Sequence, residues 1–199
     1  MGEGALPWGT LFGLLFMTMG PIRAVAVFGS FGESDTAAGV RPLALRVAAL
    51  VAVAYAVAVV FGDQVLSRWG VGLPALIAAA GLILVVVSLR SMIVPPPATK
   101  PQADVALVPA ARVAFPDIFP PVAVSIPIIF AAAAPGLGNK LAILGLGLAV
   151  VALNWIAMRH AKAILGAIGP TPLQLVGAVF GVLQVALGIE FLLDAWRMA

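Results

Sequence analysis

Gly70-Val71-Gly72-Leu73-Pro74-Ala75-Leu76 and Gly169-Pro170-Thr171-Pro172-Leu173-Gln174-Leu175 superpose without a gap, each opening an apolar run in its half of the chain. Gly81-Leu82-Ile83-Leu84 then meets Gly181-Val182-Leu183 after a one-residue slip, and a short amphipathic approach precedes each block, at residues 65–69 and 164–168. Upstream, Met19-Gly20-Pro21-Ile22 resembles Ser125-Ile126-Pro127-Ile128. Matching punctuation at this distance is the signature of an internal repeat.

The composition sets the solvent. Hydrophobic residues make up 63% of the 199 and charged residues only 10%, a balance that excludes an ordinary soluble domain. A bilayer core about 30 Å thick needs about 20 helical residues to cross. The apolar runs predict six transmembrane helices, at residues 7–31, 42–61, 71–89, 113–134, 141–158 and 173–196, in an all-α membrane protein. Residues 90–112 hold Pro95-Pro96-Pro97 and Lys100-Pro101 and read as a Pro-rich, water-exposed connection. The expected organisation is a first three-helix repeat over 1–92, a cytoplasmic linker over 93–112 and a second repeat over 113–199. Three crossings per half make the second copy inverted relative to the first.

Charge sets the expected orientation. Of eleven Lys and Arg residues, Arg41, Arg46, Arg90, Lys100, Arg112, Arg159 and Lys162 fall on one side, against Arg68, Lys140 and Arg197 on the other. The positive-inside rule places the richer side in the cytoplasm and both termini outside, in a multi-pass protein of the plasma (inner) membrane. Trp8, Trp69 and Trp196 all fall on the outer side as interfacial anchors. The pI near 10 thus reports topology, and no nucleic-acid partner is expected from charges spread over loops. No charge but Glu3 precedes Pro21 and no cleavage pattern follows, so the first span reads as a retained helix and not a signal peptide.

Enzyme chemistry finds no constellation. There is no Cys, and the single His, His160, sits in the basic run Arg159-His160-Ala161-Lys162 as a solvated or headgroup-facing residue, so neither a catalytic site, a metal nor a cofactor is expected. The helix breaks carry more information. Pro21 removes a backbone donor and opens the first span at Gly20, and Pro116, Pro120, Pro121 and Pro127 do the same in the fourth, with Ser125 beside the last. Freed amides suit a carboxylate and freed carbonyls an ammonium, so the pair suits a zwitterion. Arg23 follows the first break and either reads a carboxylate or snorkels to the interface. Thr18, Ser125, Asn154 and Gln184 are the neutral polar residues within spans, able to bond across helices or to a solute. Asp117, Glu190 and Asp194 are acidic groups near span ends, Glu190 being the candidate for proton coupling. Gly9-x-x-x-Gly13 and Gly177-x-x-x-Gly181 have the spacing for close helix contact, within the bundle or in a homo-oligomer.

Gly20-Pro21-Ile22 with Phe28 is similar to the N/D-P-I-G…P-x-F signature of the MarC-related integral membrane proteins, also called the SnatA-like neutral amino acid transporter family and often grouped with the LysE-type exporters. The run 66–75 resembles that family's entry into its third helix, Ala80-Gly81-Leu82-Ile83-Leu84 its A-G-G-x-L-L motif, and Pro121-Val122-Ala123 with Pro127-Ile128 its P-L-A-x-P-L stretch. Nearly the whole chain is covered. The family's Asn or Asp is Gly20 here, its next glycine is Arg23, and its G-P-G is reduced to Ala134-Pro135-Gly136. These departures leave the scaffold intact and fall where a solute would be read. The resemblance and the repeat together imply a secondary transporter or exporter of small neutral amino acids or similar solutes. Its expected midplane site comprises Gly20, Pro21, Arg23, Ser125, Pro127, Thr18, Asn154 and Gln184. The alternative is a non-transporting membrane assembly or sensor protein.

Overall fold

The computed structural model describes residues 8–29, 31, 37–93 and 109–199, and every regular element among them is helical. In chain order these are α1 (Trp8–Met19), α2 (Pro21–Gly29), α3 (Ala37–Trp69), α4 (Leu73–Ile93), α5 (Ala110–Arg112), a π-helical turn Val113–Ile118, α6 (Pro121–Ala133), α7 (Leu137–Arg159), α8 (Ala161–Ile168) and α9 (Pro170–Met198). Five runs are long and apolar enough to cross a membrane, counting α1 and α2 together as Trp8–Gly29. There are six if Ala110–Ile118 and Pro121–Ala133, which meet at 66°, form one span. The Pro-rich triplet expected in the linker lies outside the described residues. The linker itself is shorter than its sequence suggests, because α4 continues to Ile93 and α5 starts at Ala110.

Local chemistry explains where the helices stop. Pro21 has no N–H for the Met17 carbonyl and disfavours helical geometry at the residue before it, so α1 ends at Met19 and Pro21 starts α2. Trp69 is followed by Gly70 at φ +68°, and Val71 N–H bonds back to Leu66 O at 3.0 Å, the Schellman closure that needs a left-handed residue. Gly169, its counterpart in the second half, is likewise left-handed at φ +80° between α8 and α9. The approach segments differ: residues 65–69 are the uninterrupted end of α3, whereas 164–168 belong to the separate helix α8.

Of the prolines expected to open the fourth span, Pro120 and Pro121 do so and Pro127 does not. Pro127 lies inside a continuous α6, and the interruption falls at Phe119-Pro120, with Pro120 extended at φ −69°, ψ 159°. A lone proline deletes one ladder bond. The pair Pro120-Pro121 deletes two and holds the first of them out of helical geometry.

The core lies among α1, α2, α3, α6 and α7, where Leu11, Leu15, Phe28, Tyr55, Phe119, Ile126 and Ile143 are fully buried. Tyr55 lies against Gly147 of α7 and donates its hydroxyl to Ile143 O at 2.9 Å. α4 packs along α9, where the backbones touch at Gly81 and Gly188: a Cβ on Gly81 would come 2.6 Å from Gly188 O. Among the described residues the Gly-x-x-x-Gly spacings are not where the helices of the chain meet: nothing described lies within 4 Å of a Cβ placed on Gly9, Gly13 or Gly177, and of the four only Gly181 has a described neighbour, Met92. The outward faces of α3, α4 and α9 carry Leu, Val and Ile side chains, as a lipid-facing surface requires.

Candidate functional site

The break in the first span exposes three consecutive carbonyls, and each meets a side chain. In an unbroken helix the carbonyls of Met17, Thr18 and Met19 would accept from the N–H groups four residues on. Pro21 has none, and Arg23 N–H turns instead to Gly20 O at 3.2 Å. Gln184 of α9 donates its Nε2 to Met17 O at 2.6 Å. Arg23 reaches back with a guanidinium N–H to Thr18 O at 3.5 Å. Asn154 of α7 donates its Nδ2 to Met19 O. Gln184 also accepts from Ser88 of α4 at 3.1 Å, so a hydrogen-bonded chain runs Ser88, Gln184, Met17 across three helices. Thr18 spends its hydroxyl on Leu14 O at 2.7 Å, a back-bond within α1 that leaves it no proton for a partner on another helix.

Gly20 makes the geometry available. A Cβ there would sit 1.7 Å from Phe16 O, so only a residue without a side chain lets the chain turn this tightly. The arrangement leaves one acceptor idle. Asn154 is 1% exposed and its Oδ1 has no hydrogen-bond partner among the described residues, while its amide orientation is dictated by the Met19 carbonyl it must donate to. A buried, unpaired amide oxygen costs about 1–3 kcal/mol unless a donor arrives. An ammonium, a water or a cation is the matching ligand chemistry. Arg23 is half-buried and interacts electrostatically with Asp117, which also feels Arg112. Its charge is thus offset by one carbonyl and one carboxylate.

Six of the expected site residues therefore gather at one place: Thr18, Gly20, Pro21, Arg23, Asn154 and Gln184. Ser125 and Pro127 lie on α6, which packs against α1, but Ser125 makes no side-chain hydrogen bond among the described residues and Pro127 frees no break. Glu190 is six residues beyond Gln184, about 9 Å along α9. It is exposed and 3.4 Å from Arg197, which places it in a surface ion pair and not at the break. Ser88, buried to 1% exposure, is the member that sequence reading missed. A lone hydroxyl in an apolar span gives no sign of its partner 96 residues away. Asp63 and Lys140, paired at 2.8 Å between the end of α3 and the start of α7, were also unforeseen.

Asn154→Leu tests the capping role directly. It strips the donor from Met19 O, and a loss of about 1–2 kcal/mol is expected in the unfolding free energy in micelles. Asn154→Gln, with the same amide on a longer stem, should recover part of it. Equal stability of Asn154→Leu and the parent would show that Met19 O finds its donor elsewhere.

A sequence model of one family, described as MarC family integral membrane protein, matches residues 8–199. No curated protein and no solved structure matches the chain.

Proposed function

The chain belongs to the MarC family of integral membrane proteins, and from that premise we propose that it is a secondary transporter or exporter of small neutral amino acids or similar solutes. One observation carries the reading: a row of carbonyls freed inside a membrane span, capped by exchangeable side chains, beside a buried Asn154 oxygen that lacks a donor among the described residues. A solute ammonium supplies N–H donors to that oxygen and those carbonyls. Its carboxylate has Arg23 as a partner two residues past the break. Neither step calls for catalysis or a cofactor.

Alternating access between two inverted copies is the mechanism we infer. Proline opens the second segment of the broken span in both halves, and Pro121 follows Pro21 by 100 residues while Gly169 follows Gly70 by 99. That register supports the repeat better than pairing Pro21 with Pro127. Like helices also pair across the halves, α3 with α7 and α4 with α9. We take the end that gathers Arg41, Arg159 and Lys162 as cytoplasmic, which puts the termini outside.

Counterflow of labelled alanine or glycine in proteoliposomes tests the proposal, with flux expected for the parent. Arg23→Ala should abolish it while the protein remains folded and inserted, because the carboxylate loses its cation. Full flux in both Arg23→Ala and Arg23→Lys would remove Arg23 from the site. One observation favours a second reading, a non-transporting assembly or sensor protein: all three carbonyls are already met by the protein's own side chains. Folded protein that moves no member of a broad solute panel would decide for it.

A further inference from the structure

The basic run Arg159-His160-Ala161-Lys162 takes no part in the site at the break. It lines a cavity of about 230 Å³ formed where α2 ends, α3 begins and α7 passes into α8. Phe28 and Met158, both buried, line its interior with Val40. Among the described residues, Arg41, Arg159, His160 and Lys162 are the polar side chains that line it. Arg159 lies 5.8 Å from the centre of the Trp155 ring, a contact that restricts its guanidinium on that wall. The first turn of α8 adds Ala161, Lys162 and Ala163, and its N-cap, His160, makes no side-chain capping bond. Backbone N–H groups of that turn have no intrahelical acceptor and carry the positive end of the helix dipole. Guanidinium groups from two helices and an imidazole are the donor set of a phosphate site.

The position in the fold selects among phosphates. Arg41 and Arg159 stand at the ends of the apolar runs Val40–Trp69 and Leu137–Arg159, the depth at which headgroups lie, and an apolar interior meets the basic rim. The volume is about eight times that of one water, room for a phosphodiester with part of its ester arm. We propose that this pocket binds the phosphate of an anionic lipid headgroup. It is a site separate from the break, and its occupancy does not depend on what the protein carries.

The test is lipid retention by the purified full-length protein, read by native mass spectrometry after exchange between phosphatidylcholine and phosphatidylglycerol nanodiscs. The parent is expected to retain phosphatidylglycerol in preference. Arg41→Gln with Arg159→Gln should weaken that retention about 25-fold, from about 1 kcal/mol per cationic side chain. Arg41 is exposed, so Arg41→Gln alone should fold as the parent does and lose about 5-fold. The matched pair Arg68→Gln with Arg197→Gln removes the same charge elsewhere and should change nothing. Equal loss in both pairs would reduce the effect to bulk surface charge and overturn the site. Displacement of the lipid by millimolar inorganic phosphate would overturn the lipid assignment, leaving a site for free phosphate.

Discussion

Gly20→Ala is expected to abolish solute flux and lower the unfolding free energy by more than about 3 kcal/mol. The added Cβ would stand 1.7 Å from Phe16 O and 2.8 Å from its carbonyl carbon, far inside any tolerable contact. Relief requires the last turn of α1 to move, and with it the carbonyls of Met17, Thr18 and Met19. Their partners Gln184, Arg23 and Asn154 come from α9, α2 and α7 and cannot follow together. Freed carbonyls within a membrane span then have no water to turn to. Gly9→Ala and Gly13→Ala on the same helix are the controls. No atom of the described residues lies within 4 Å of either Cβ, and both should remain within about 1 kcal/mol of the parent or gain slightly from the better helix former. Thermal or denaturant unfolding in one detergent measures all three. A Gly20→Ala protein as stable as Gly13→Ala would refute the break geometry.

Gly147→Ala should be the most damaging change outside the site, at about 3–5 kcal/mol. Its Cβ would come 2.0 Å from Cζ of Tyr55 and 2.4 Å from the hydroxyl. Tyr55 is fully buried, so its ring has no vacant space to enter, and displacing it breaks the 2.9 Å bond to Ile143 O. Overpacking and an orphaned hydroxyl then add together. Tyr55→Phe alone removes only the hydrogen bond and should lose about 1 kcal/mol. In a Tyr55→Leu background the alanine at 147 should do much less harm, because the ring that it strikes is gone. Strict additivity of Gly147→Ala and Tyr55→Leu would contradict this contact.

What could be read from the chain depended on how local the cause was. The stop at Gly20-Pro21 follows from a missing N–H and a ring, both covalent properties of one dipeptide. The left-handed glycines at 70 and 169 follow from turns that close within five residues. Pro127 misled for a related reason. A proline shows what it removes but not whether packing around α6 tolerates the loss, and here it does, while Pro120-Pro121 removes too much. The Gly-x-x-x-Gly spacings do not mark the contacts within the bundle, because a glycine becomes a contact only when another helix reaches its face. Among the described residues Gly81, Gly147 and Gly188 have such neighbours, and Gly9, Gly13 and Gly177 do not.

By itself the sequence determined the solvent, five of the spans and the place where the first span opens. Each is a property of composition or of a few adjacent residues. Only the tertiary structure decided which side chain answers which freed carbonyl, that Ser88 joins Gln184 and that Asn154 keeps an oxygen in the core with no partner among the described residues. The physical reason is the bilayer. A carbonyl released in an apolar medium must find a donor within the protein, and the donors for Met17 and Met19 are 167 and 135 residues away along the chain. Side-chain amides at that separation meet a particular carbonyl only once helix packing has set their depth and rotation.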